Sequence, residues 1–271
     1  MTESRHTVSE TVSENPKILR IRHADGVVEL QFDLNEKNIF NEEAFLSFSK
    51  HLIEIGQDKE IRAVLLSSAS EEYFSNGLDP NMFVDRDFQH IHRAVDIILQ
   101  STLELLRLPQ PIVAAVGGHC MGAGAVFALF SEYRLMSAKK GRIGFPEIRI
   151  GLSFPAGAAT LLAELVGPKA ARDLLFDGTP LKAEQARTIG LVDEVCSSSE
   201  LKPAALKLAT SLAKKPPMAL QAIKLALKQR ARAYMEDRMH DDRDWLVRTI
   251  HSKHGQEGFR SILENRRPVF E

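Results

Sequence analysis

Apolar residues along this chain fall into two spacings. Short runs at 18–22, 27–32, 63–66, 112–116 and 134–136 are rich in β-branched and aliphatic residues and predict strands buried in a sheet. Longer stretches repeat every three or four residues. Over 42–57 the apolar positions are Ala44, Phe45, Phe48, Leu52 and Ile55; over 90–107 they are Ile91, Val95, Ile98, Leu99 and Leu105. Both predict helices with one buried face, and Pro109 and Pro111 end the second. From Pro203 onward the strand signal disappears, while 219–229, 245–250 and 256–264 carry helical spacing. The expected class is α/β, with a flexible tail over 1–16, a core over 17–202 and a helical region over 203–271. No internal sequence repeat is convincing.

Composition narrows the function. With 271 residues, 44% of them hydrophobic, the chain can bury one large core. Thirty-five Lys and Arg against 36 Asp and Glu leave a net charge of −1, so no nucleic-acid or acidic-membrane partner is expected. No apolar run reaches the length of a membrane span. Residues 1–16 lack the basic start and apolar stretch of a secretory signal, and their glutamates argue against a transit peptide. The ending Val269-Phe270-Glu271 is not a peroxisomal address, so a cytoplasmic location is the default expectation. Cys120 and Cys196 have no neighbouring cysteine, which argues against a disulfide scaffold or thiolate metal site.

Two glycine-containing turns carry the chemistry. Phe74-Ser75-Asn76-Gly77-Leu78-Asp79 and Gly118-His119-Cys120-Met121-Gly122-Ala123-Gly124 each join an apolar strand to a helix. Such turns can leave backbone N–H groups unpaired, and two converging donors can hold a carbonyl oxygen as it becomes an enolate.

These segments resemble the enoyl-CoA hydratase/isomerase (crotonase) family. The first is similar to its F-[SA]-x-G-x-D loop, and residues 111–118 with Gly122-Ala123-Gly124 to its P-x-[IV]-A-A-[IV]-x-G…G-[GA]-G segment. Ser131-Glu132-Tyr133-Arg134 stands where the family has D-x-R. Phe145-Pro146-Glu147 through Leu152 is similar to its P-E stretch, Gly190-Leu191-Val192-Asp193 to its G-L-V-D element, and Glu257-Gly258 with Arg266-Arg267-Pro268-Val269-Phe270 to its tail. The resemblance runs from about Lys17 to Phe270. It implies a spiral of ββα repeats with a C-terminal helical trimerisation region, an acyl-CoA thioester substrate, and a homotrimer or dimer of trimers. Coenzyme A would be part of the substrate, and no separate cofactor is implied.

The resemblance also assigns roles. Hydratases of the family use two glutamates to add water; here one of those positions holds Val126 and the other Glu147. Valine can neither position a water nor carry a proton, so a one-base reaction remains. That reaction is isomerisation of a 3-enoyl-CoA to the conjugated 2-enoyl-CoA, with Glu147 as acid/base and the N–H groups of Asn76 and Ala123 as the oxyanion hole. Ser75, Gly77, Leu78, Asp79 and Gly122 are expected to bind substrate. Apolar walls from Phe145, Pro146 and Ile148 would raise the pKa of Glu147. The loop from Met82 to Phe88 is expected to shape the acyl pocket. Alternatives are an atypical hydratase or thioester hydrolase using Asp79 or Asp85, and a non-catalytic acyl-CoA-binding subunit.

Other features have plainer readings. Gly122-x-Gly124 lacks the third glycine of a dinucleotide fingerprint, since residue 127 is Phe. His119 is expected to be a structural hydrogen-bonder. His90-x-His92 and His251-x-x-His254 have no suitably spaced cysteine or carboxylate cluster, and no metal is expected. Lys224, Lys228 and Arg232 form a stripe, read either as a solvated face or as contacts to CoA phosphates. Leu225, Leu227, Trp245, Leu246 and Ile250 line either a subunit interface or the intrachain core.

Overall fold

The computed structural model describes residues 17–271, so the tail expected over 1–16 lies outside the described residues. An antiparallel pair, β1 (Lys17–Arg22) and β2 (Val27–Asp33), leads into α1 (Glu42–Gln57). Three units then follow one plan: a strand of one sheet, a short strand of a second sheet, and a helix. The first is β3 (Ala63–Ser68), β4 (Tyr73–Ser75) and α2 (Phe88–Arg107); the second is β5 (Ile112–Val116), β6 (His119–Met121) and α3 (Ala123–Phe130). In the third, β7 (Tyr133–Ser137) and β8 (Arg142–Gly144) reach α4 (Ala156–Val166) through a 3₁₀ turn at Glu147–Ile150. Next come α5 (Pro168–Asp177), β9 (Leu181–Lys182), α6 (Ala183–Thr188), β10 (Glu194–Cys196) and α7 (Ser198–Ala213). Two further helices, α8 (Pro217–His251) and α9 (Lys253–Leu263), complete the fold.

The larger sheet has the order β1-β2-β3-β5-β7-β10 and the smaller one β4-β6-β8-β9. Every pairing is parallel except β1–β2 and β8–β9. This is a spiral of ββα units. The large sheet is covered on both faces, which is why its strands read as unbroken apolar runs. Val28, Leu30, Phe32, Val64, Leu66 and Ile112 face the main core. Val27, Ala63, Leu65, Val113 and Ala115 face α7, which packs on them through Leu201, Ala205, Ala209 and Ala213. That helix begins ahead of Pro203, where the sequence spacing places the start of the helical region. Among the described residues no helix is long and apolar enough to cross a membrane.

Helix α8 is turned inside out. Its inner face carries Lys224 and Lys228 together with Ala231 and Met235, all buried, while Ile223 and Leu227 stand 57% and 71% exposed. The two lysines meet Glu132, at the turn into β7: Lys224 Nζ lies 3.2 Å from its Oε2, and Lys228 Nζ bonds its Oε1. Lys224 also donates to Gln110 O (2.7 Å) and Lys228 to Phe130 O. Both readings of the lysine stripe are therefore corrected: the pair is neither solvated nor free for phosphate, but pins α8 to the spiral. Arg232 stands apart, paired with Glu236 at 3.0 Å. Of the five apolar candidates, Ile250 is buried in the core and Leu246 packs against it, while Leu225, Leu227 and Trp245 are exposed.

Candidate active site

The end of β4 sets the first half of the site. Ser75 is fully buried, and its Oγ accepts the Gly77 N–H at 3.2 Å. The loop before α1 then takes up most of the turn's backbone. Asn76 N donates to Lys37 O (3.0 Å), Phe40 N to Gly77 O (2.9 Å), and Asp79 N to Phe40 O (2.9 Å). One amide is left over: the Leu78 N–H has no partner among the described residues. The assignment of Asn76 as an oxyanion donor is thereby corrected, because its N–H is already committed, and Leu78 supplies the available one. Asp79 faces away, accepting from Asn81 N and Nδ2 at 2.9 and 2.8 Å to cap the following 3₁₀ turn. Ser75 and Asp79 thus brace the turn and do not line the cleft, whereas Asn76, Gly77 and Leu78 do.

The second half comes from the entry to α3. Gly122 has φ 52° and ψ −122°, a conformation that a side chain would strain, and it presents Ala123 as the first residue of the helix. The Ala123 N–H is among the amides a helix start leaves unpaired, and it has no partner among the described residues. Close approach of the two turns depends on glycine. A Cβ on Gly124 would lie 2.7 Å from Ser75 Cβ, and one on Gly77, at φ 88°, would lie 3.2 Å from Met121 O.

Glu147 opens the 3₁₀ turn after β8, and Gly151, at φ 73°, closes it. The turn is held from behind by α9: Gly258 lies against Ile150 O, and Gly151 against His254, too closely for a Cβ to fit at ordinary contact distance. The carboxylate therefore has a rigid support. Its Oε2 is enclosed and unpartnered, and its Oε1 lies 3.7 Å from where a Gly122 Cβ would be. Burial pushes the carboxyl up to about 7, opposed only by its own backbone N–H. Phe145 is buried beside it and Pro146 lines the cleft, but Ile148 is 48% exposed and adds little cover.

Two cavities meet at this group. An outer cleft of ≈ 450 Å³ has Arg149, Arg266 and Arg267 on its wall. An inner pocket of ≈ 70 Å³ is walled by side chains of α2, α3 and α8, including Val95, Leu99, Val126, Met235 and Ile250. Leu78, Ala123, Glu147 and Leu152 belong to both. Glu147 is the one carboxylate lining either cavity among the described residues. Asp85, weighed as a substitute acid, pairs with Arg260 instead.

The loop from Met82 to Phe88 does not shape the inner pocket. Met82 and Phe83 are buried, Phe83 stacks on Phe259 at 4.9 Å, and Phe88 points outward, 51% exposed. The residues that do line it come from α2, α3, α4 and α8 and from the turns around Leu78 and Glu147, and no single stretch of sequence marks them together. His119 is half-buried, its ring beside Tyr73 at 5.4 Å and its N–H bonded to Glu72 O. Cys120 is wholly buried, with its thiol pushed up by desolvation, and lines neither cavity.

Comparison with known proteins gives a consistent assignment. A family model described as enoyl-CoA hydratase/isomerase matches residues 22–271. The 2,3-dehydroadipyl-CoA hydratase of Escherichia coli is 28% identical over 234 residues, covering 86% of this chain and 90% of the relative. Carnitinyl-CoA dehydratase of Salmonella typhi is 24% identical over 256 residues, covering 93% and 97%. The crystal structure of human mitochondrial Δ3-Δ2-enoyl-CoA isomerase superposes with a TM-score of 0.87 at 24% identity, covering 91% of this chain and 96% of that one, a likeness of fold.

Proposed function

This chain belongs to the enoyl-CoA hydratase/isomerase family, and on that footing we propose that it converts a 3-enoyl-CoA into the conjugated 2-enoyl-CoA with Glu147 as the single acid/base. The observation that carries this reading is an enclosed carboxyl, the one carboxylate lining either cavity among the described residues, which shares a mostly apolar pocket with Val126; burial pushes it up to about 7. The thioester oxygen lies between the Leu78 and Ala123 amides. Glu147 takes a proton from C2, so that charge collects on that oxygen in a dienolate; the same carboxyl then returns the proton to C4, the double bond moves from C3=C4 to C2=C3, and the carbonyl re-forms. Each oxyanion donor contributes about 10²–10³ in rate. A carboxyl near 7 is a stronger base than an ordinary one, yet about half of it is ionised at neutral pH. The arginines of the outer cleft suit the phosphates of coenzyme A, which enters as part of the substrate.

Hydration needs a second group to hold and activate water, and Val126 offers none. The test follows 3-hexenoyl-CoA and crotonyl-CoA in parallel. Formation of the conjugated thioester without crotonyl-CoA hydration is the expected result; hydration without isomerisation overturns the reading.

The outward apolar face of α8, with Ile223, Leu227 and Tyr234, supports self-association as a trimer or a pair of trimers. Sedimentation at assay concentration is expected to give a multiple of three. A stable monomer would remove this part of the proposal.

A further inference from the structure

We propose that the inner pocket selects a short, uncharged, unbranched acyl group, and that Met235 and Leu246 of α8 set the limit on its length. The inference rests on the reading of the site as an acyl-CoA site and goes beyond it to the class of acyl group. A cavity of about 150 Å³ accepts one benzene ring, so the ≈ 70 Å³ of this pocket has room for only a short acyl chain beyond the carbonyl carbon at the two amides.

Its wall gives a charged terminus no oppositely charged partner. Apart from Glu147, which faces the reacting carbons, the lining has no ionisable side chain. Of the two hydroxyls present, Thr102 Oγ1 already donates to Ile98 O at 2.7 Å, while Ser153 Oγ accepts from Thr249 Oγ1 at 3.4 Å and keeps its own O–H to donate. A carboxylate or ammonium at the acyl end would be desolvated with no opposite charge and at most one hydroxyl to compensate.

Met235 is 2% exposed, and its side chain lies directly on Gly157 of α4, where a Cβ would collide with it. It has no room to withdraw in that direction. Leu246 is partly buried on the same helix, beyond the non-helical Arg238 at φ −121°. Shortening either side chain opens the pocket toward α8.

The experiment measures equilibrium binding of saturated acyl-CoAs, which have no double bond to move, from butanoyl to dodecanoyl. Dissociation constants are expected to fall about fourfold per added methylene until the pocket is filled, and to stop falling well before dodecanoyl. A six-carbon acyl-CoA ending in a carboxylate is expected to bind at least about tenfold more weakly than hexanoyl-CoA. Met235→Ala, and independently the milder Leu246→Ala, should move the break to longer chains. Affinity that keeps rising to dodecanoyl-CoA in the unaltered protein would overturn the proposal. So would equal binding of the carboxylate-tipped chain, or a break that neither variant moves. The same pattern in a protein that fails to isomerise 3-hexenoyl-CoA would refute the chemistry while upholding the pocket's selection.

Discussion

Glu147→Gln is expected to lower the isomerisation rate of 3-hexenoyl-CoA by about 10²–10⁴-fold, the range ascribed to a positioned acid/base, with little change in acyl-CoA affinity. The amide keeps the shape of the side chain but cannot accept the C2 proton. In the unaltered protein kcat/KM should climb as pH rises through about 7 and level off above it, because the reaction needs the ionised carboxylate. Residual turnover by the variant should lack that step. Retained activity would remove Glu147 from its role.

The same substitution should stabilise the fold at alkaline pH. Burial raises the Glu147 pKa from 4.5 to about 7, so the folded chain favours the protonated form. That preference is fully present below about 4.5 and is lost as pH rises through about 7, where the folded protein must hold a desolvated charge. The penalty above this range is on the order of 3 kcal/mol. Glutamine never ionises, so the variant should melt higher at pH 8 and almost unchanged at pH 4. Thermal melts at the two pH values check this, and equal shifts at both would contradict the assigned pKa.

Glu132→Ala should destabilise the protein by about 3–5 kcal/mol, because it strands two buried ammonium groups. The Glu132 carboxyl resists the upward pull of burial and stays below its usual range, since Lys224 and Lys228 both lie against it. It also accepts the Ile112 N–H at 2.7 Å. Burial brings Lys224 down to about 8 even with Glu132 in place. Denaturant unfolding measures the loss, and adding Lys228→Met should restore part of it by removing one stranded charge. A loss under about 1 kcal/mol would mean that water or a rearranged side chain solvates the lysines in the folded protein.

The parts of this molecule that the sequence discloses are those decided locally. The apolar run from Ile112 to Val116 is buried whichever neighbours it pairs with, and the spacing in α1 points Phe45, Phe48 and Leu52 to one side unaided. The smaller sheet is hidden because β4, β6 and β8 are three residues long, too short for an alternation to register. Choosing between Asn76 and Leu78 as the donor required knowing that Lys37 and Phe40 lie alongside the turn. Lys224 and Lys228 look like surface residues because Glu132, which makes their burial tolerable, is distant along the chain. Glu147 was legible as a residue through the motifs around it, but its enclosure depends on α9 packing behind its turn.

The long helix α8 reaches the inner pocket with Met235, Leu246 and Ile250, whereas the Glu147 carboxyl and the unpartnered amides of Leu78 and Ala123 come from turns of the spiral. On the proposed reading, heritable changes in that helix would retune which thioesters are accepted without touching the groups assigned to move the proton. A lineage built on this plan can diversify its diet by drift in one segment while its chemistry stays fixed in another.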